Sequence, residues 1–220
     1  MKSTGLHVLM AEADSAPARQ VADALTEAGH AVHPCHDRDE VGLACAALRG
    51  RGCPLEDRPV DIAVLVRPRT RPEPTLVEQG ALCAARRRIP LVVGGAVGAD
   101  PYRQWAAAEQ EGTALLELVE AAAAAPLPEH SEVARATLEE TLQTAASSVE
   151  RCDAEVYRHG GVLQVVLHAE PDPGRLARQV AATRVHQRLR AIDRWTPRME
   201  LSFDSRPGAV ELDHGAGLFA

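Results

Sequence analysis

The chain has 220 residues, a formal net charge of −7 and only 3% aromatic residues. This length suits one large domain or two small ones. The acidic balance argues against general attraction to nucleic acid or to an anionic membrane, and no run approaches the ~18 apolar residues needed to span a bilayer.

Residues 7–11 (HVLMA) read as a buried strand, after which Pro17 opens a helix at a tolerated early position. Val21, Leu25 and Ala28 share one face of that helix, and Gly29 stops it. A second strand is expected at 30–35 and a second helix at 38–49, with Val41, Ala44, Cys45 and Leu48 inward. Residues 60–66 (VDIAVLV) form the continuous apolar run of a central parallel strand. An Arg- and Pro-rich loop at 67–74 leads to a helix at 75–87 and a fourth strand at 89–93 (IPLVV), which Gly94 and Gly95 follow. Two helical stretches are expected at 101–111 and 113–125, with no fifth strand between 112 and 118. Alternating strands and helices predict an α/β fold with a doubly wound parallel sheet over 1–125.

The segment AAAAAPLP at 121–128 is the expected junction to a second unit, 126–204. There a helix at 129–149 carries Val133, Thr137, Leu142, Ala145 and Val149 on one face. Strands follow at 153–158 and 162–169, joined by His159, Gly160 and Gly161 as a hairpin turn. A helix after Gly174 places Ala177, Ala181, Val185, Leu189 and Ile192 inward, and 198–203 alternates as a last half-buried strand. The order is α-β-β-α-β. Residues 205–220, rich in Gly and polar groups, read as a flexible tail.

The N-terminus lacks a signal-peptide core, so a cytoplasmic location is expected. The five cysteines have no paired spacing and read as small buried apolar residues of a reducing compartment. Among 24 basic residues Lys2 is the only lysine. A mechanism that needs a lysine inside the fold therefore has none to use.

The first 100 residues resemble a response-regulator receiver domain. The resemblance lies in Glu12 and Asp14 after the first strand, Gly29–Val32 entering the second, and Asp37–Val41 opening the second helix. Val60–Asp61 and Ile89–Pro90 introduce the third and fourth strands. The resemblance implies four chemical groups: two acids for Mg²⁺, an acceptor Asp, a Thr or Ser, and a Lys. Here Ala13 follows Glu12, the acceptor position falls on Val66, and the last two positions fall on Gly95 and Val97. The resemblance thus implies the fold without the phosphoryl chemistry. The second unit resembles the cytoplasmic domain of cation-efflux transporters through Val166–Glu170 followed by Pro171 and Asp172. That resemblance implies dimerisation and metal binding at His168.

Ligands of open α/β sheets sit beyond the carboxyl ends of the strands. That edge gathers Glu12, Asp14, Arg67, Arg69, Arg71, Gly94 and Gly95. One reading is a small-anion or nucleotide site built on the arginines and the amides at Gly94 and Gly95. The favoured reading is that Arg67 occupies the vacated pocket and pairs with Glu12 or Asp14. His33 and Cys35 are further candidate metal ligands, set against structural or solvated side chains as the favoured reading. The 174–192 helix has a basic side, but the acidic surroundings and scarce aromatics favour a solvated face over nucleic-acid binding. No Gly-x-Gly-x-x-Gly, P-loop or Gly-x-Ser-x-Gly motif is present.

The expected protein is a bacterial, non-enzymatic regulatory or protein-interaction molecule, homodimeric, without a cofactor and with another protein as partner. The alternatives are a small-anion or nucleotide sensor or enzyme using the strand-end pocket, and a metal-responsive protein.

Overall fold

A computed structural model describes residues 5–12, 15–36, 45, 47, 50, 52–145 and 149–204. The expected helix at 38–49 lies almost wholly outside the described residues, as do Asp14 and the tail at 205–220.

The first sheet contains β1 (His7–Met10), β2 (Ala31–Pro34), β3 (Ile62–Arg67), β4 (Leu91–Gly95) and β5 (Ala106–Glu111). Its order is β2-β1-β3-β4-β5 and every pairing is parallel, the arrangement of flavodoxin-like sheets. Helices α1 (Ala16–Glu27) and α4 (Leu116–Ala124) cover one face, packing on Val8, Met10, Val64 and Val66. The short α2 (Pro54–Asp57) and α3 (Gln79–Arg86) cover the other, against Leu9, Ala63 and Leu65. With helices on both faces, all six residues of β3 are buried, which is why its sequence runs apolar without alternation. Ser15 caps α1 by accepting the Ala18 amide at 3.2 Å, and Pro17 sits in the first turn.

The stretch 101–111 departs from expectation. It is a turn followed by β5, not a helix, and the sheet gains its fifth strand there. The β5 sequence AAAEQE is built of good helix formers. Its conformation is imposed by β4, whose outer edge pairs with it from Leu91 to Gly94, while Tyr102, fully buried, anchors the preceding turn. Sheet pairing outweighs local propensity at this position.

The second sheet comprises β6 (Arg151–His159), β7 (Val162–Glu170) and β8 (Arg198–Asp204), in the order β6-β7-β8. Strands β6 and β7 are antiparallel, whereas β7 and β8 are parallel. Gly160 and Gly161, with φ of 60° and 74°, make the hairpin turn; two successive positive φ values are what a two-residue type I′ turn demands. Helices α5 (Pro128–Ala145) and α6 (Arg175–Ile192) pack on one face of this sheet.

Helix α6 buries Ala177, Ala181, Val185 and Leu189, the face anticipated from its spacing. Of the expected inward residues of helix α5, Thr137 and Leu142 are buried and Val133 is partly buried against the core, as is Val149 beyond the helix, whereas Ala145 is exposed. The helix buries His130, Ala134, Thr137, Leu138, Thr141 and Leu142. His130 is drawn inward by Asp193 at 3.2 Å. Thr137 and Thr141 become burial-compatible by donating to the carbonyls one turn back, each at 2.7 Å.

The two sheets are tied together by backbone and side-chain bonds. Gly161 donates its amide to the Asp61 carboxylate at 3.1 Å, Arg88 donates to the Ile192 carbonyl at 3.1 Å, and Arg88 also pairs with Glu129. No helix of the described residues is long and apolar enough to cross a membrane.

Candidate functional site at the strand ends

Along β3 side chains alternate between the two faces. Ala63 and Leu65 point toward α3, and Arg67 continues that row at the carboxyl end of the strand. Its guanidinium is 1% exposed, so each donor needs a partner. Nε donates to Glu78 Oε1 at 3.0 Å, Nη1 to the Ala99 carbonyl at 3.1 Å, and Nη2 to the Arg71 carbonyl at 2.7 Å. Asp100 Oδ1 lies 3.6 Å from Nη1.

Glu78 is held as firmly. Its second oxygen accepts the Thr75 amide at 2.8 Å and the Tyr102 hydroxyl at 3.2 Å. Burial, the Glu78 charge and the hydrogen bond to it push the Tyr102 phenol well above its ordinary range. Asp100 Oδ1 takes the Tyr102 amide at 3.0 Å. Burial raises the Asp100 carboxyl; the Tyr102 amide opposes that shift and neighbouring Glu109 adds to it.

The crevice is therefore occupied by protein. Arg67 fills it, as the favoured expectation has it, but the partners differ. Arg67 pairs with Glu78 and Asp100 from the two following loops, not with Glu12. Glu12 is buried and accepts both the amide and the hydroxyl of Ser15, at 2.9 and 2.7 Å, at the start of α1. Asp14 lies outside the described residues, and Arg69 is exposed.

The glycine pair is explained by packing. A Cβ on Gly94 would stand 2.3 Å from Leu115 Cδ1. One on Gly95, where φ is 86°, would stand 2.2 Å from the Arg67 carbonyl oxygen. The neighbouring amides are also engaged: Gly95 donates to the Gly112 carbonyl at 2.8 Å, and Ala96 to that of Arg67 at 2.8 Å. Amides spent in this way do not form an anion cradle. Val66, at the position the receiver resemblance assigns to a phosphoryl acceptor, is fully buried against α1 and α4.

The three candidate metal ligands are not brought together. His33 on β2 stacks on His7 with ring centroids 5.4 Å apart, and His7 Nδ1 is 3.1 Å from His33 Nε2. Burial, then the neighbouring His7 and Arg58, lower the His33 imidazole below its ordinary value, with Asp61 opposing. His168 lies in the other sheet, on β7 between Asp153 and Asp204. Cys35 is buried with Cys45, Cys53 and Cys83 packed around the same core. Burial first, then these neighbouring thiols, push the Cys35 thiol up to about 12. Among the described residues no group of three His, Cys, Asp or Glu side chains is arranged to hold a metal ion.

Sequence reasoning missed Glu78, Asp100 and Tyr102. Only Glu78 carried a legible signal, as the acid three residues after Thr75 in a helix-opening pattern. A second network also escaped it. Asp193 accepts from His130, Arg158 and Thr196 deep in the second unit. Burial alone would raise this carboxyl, but the bonds from His130, Arg158 and Thr196 hold it far below its usual range. No family model matches the chain, and no curated protein or solved structure matches it.

Proposed function

We propose that the chain is a non-enzymatic regulatory or protein-interaction protein, with a receiver-like α/β unit that accepts no phosphoryl group and an α-β-β-α-β unit that self-associates as a homodimer. The observation that carries this reading is the buried Arg67–Glu78 pair with Asp100 and Tyr102 beside it. Arg67 is fixed at the strand end by Glu78 and by two backbone carbonyls, and the position that the receiver resemblance assigns to the acceptor is a hydrocarbon. Nucleophilic transfer needs an exposed, activated oxygen, and Val66 supplies none.

The dimer is supported by the form of the second sheet. Helices cover one of its faces. The outer edge of β6 is occupied at Val156, which accepts from the Leu127 amide and donates to the Ser131 hydroxyl. On its outer side β8 pairs with no described strand, and open strand edges are common routes of association.

Incubation with acetyl phosphate and Mg²⁺, followed by intact mass measurement, tests the first part. No phosphoryl adduct is expected, and a stoichiometric acid-stable or acyl-type adduct refutes it. Native mass spectrometry tests the second, with a twofold assembly as the expected result.

A further inference from the structure

The anion chemistry that the strand ends do not offer is present at the opposite end of the sheet. A cavity of about 460 Å³ opens between the two units, within the size range of small-molecule sites. The first unit lines it with Arg58 and Arg87, just before β3 and just after α3. The second unit lines it with Arg158, Trp195 and Arg198. Among the described residues the acids on its wall are Glu56 and Asp57. Four arginines thus line one cavity in a chain whose overall charge is −7.

The state of each arginine matters. Arg158 is 6% exposed; its two terminal nitrogens bind Thr196 and Asp193, yet its buried Nε has no partner. Arg158 lines the cavity, and an unsatisfied buried donor favours any acceptor that reaches it. Arg87 is largely buried; it donates to the Leu55 carbonyl, pairs with the exposed Glu56 and lies 4.5 Å over the Trp195 ring. Arg198 is exposed and pairs with exposed Glu200, whereas Arg58 is exposed and forms no ion pair with any described residue. The Arg198–Glu200 pair, exposed on both sides, is weak and readily exchanged for a stronger acceptor. Guanidinium forks match phosphate and carboxylate oxygens in geometry as well as charge.

We infer that this cleft binds a small anion carrying two or more phosphate or carboxylate groups, and that the bound anion fastens the two units together. The site is separate from the strand-end crevice, so it stands or falls independently of the phosphorylation reading.

Calorimetry on the full chain at low ionic strength, with pyrophosphate, citrate and inorganic sulfate as separate titrants, tests it. The expected result is saturable binding of one pyrophosphate or citrate per chain, at least tenfold tighter than sulfate. Preference between the first two identifies phosphate or carboxylate as the chemistry read. The Arg58→Ala/Arg198→Ala double variant should bind at least tenfold more weakly. Both side chains are exposed, so its unfolding midpoint without ligand should match that of the parent. Tryptophan emission in a Trp105→Phe background, which leaves Trp195 as the sole indole, should change on binding. Absence of binding to both polyanions overturns the inference, as does undiminished binding by the double variant.

Discussion

The Asp61 carboxylate joins the two units through Gly161. Its Oδ2 accepts the His7 amide at 2.9 Å, and its Oδ1 accepts the Gly161 amide at 3.1 Å. One acid thus braces the start of β1 and the β6–β7 hairpin turn together, with its side chain largely removed from water. Gly161 also needs to be glycine here, since its φ is 74° and a Cβ would meet Pro59 at 2.6 Å.

Asp61→Ala leaves two amides without their charged acceptor and should destabilise the fold by about 3 kcal/mol, given ~1.5–3 kcal/mol for a hydrogen bond to a charged group. Asp61→Asn keeps one acceptor oxygen and should cost less. Urea unfolding of both variants checks the order.

Removing one partner of the Arg67–Glu78 pair leaves a buried charge uncompensated. Glu78→Ala or Arg67→Ala should each cost about 3–5 kcal/mol. Because the residues share one network, the two losses should not add in Arg67→Ala/Glu78→Ala, and this double-mutant cycle would read the coupling directly. Additivity within error would show that the pair does not act as a unit.

Asp193 sets the acid limit of the second unit. A carboxyl depressed in the folded state contributes stability that is complete above its unfolded value, about 4, and disappears as pH falls through the folded value. Parent protein should therefore lose stability steeply in strong acid. Asp193→Asn should flatten that leg while costing about 3–5 kcal/mol at neutral pH, because Arg158 stays buried without its counter-charge.

Asp100 behaves in the opposite sense. A raised carboxyl stabilises fully below its unfolded value and loses that contribution as pH rises through the folded one. Asp100 Oδ2 and Glu109 Oε1 are both buried without a hydrogen-bond partner. Glu109→Gln supplies an amide donor to Asp100 and should raise stability near neutral pH by about 1 kcal/mol. Melting temperatures across mildly acidic to neutral pH would reveal it.

The Cys35 thiol should be inert in the folded chain. Alkylation by iodoacetamide near pH 8 requires thiolate, and a group pushed up to about 12 by burial and neighbouring thiols supplies almost none. Peptide mass mapping should find Cys35 modified only after unfolding. Labelling at the rate of a free cysteine would contradict the buried placement.

By itself the amino-acid order determined the layered architecture. Apolar runs such as 62–66, the Ser15–Pro17 helix start and the Gly160–Gly161 turn are local signals, written within a few residues of where they act. The presence of Arg67, Gly94 and Gly95 at one sheet edge was legible too, because strand ends follow from strand positions. Only the tertiary structure decided what those residues do. Glu78 and Asp100 reach Arg67 from separate loops, Leu115 forces Gly94, and β4 imposes strand conformation on helix-forming 106–111. Each of these depends on contacts between segments distant in the chain or on the competition of sheet pairing against propensity. Neither leaves a periodic trace in the sequence. The cleft between the units is the extreme case, since its four arginines come from four separate segments and meet only when both sheets are in place.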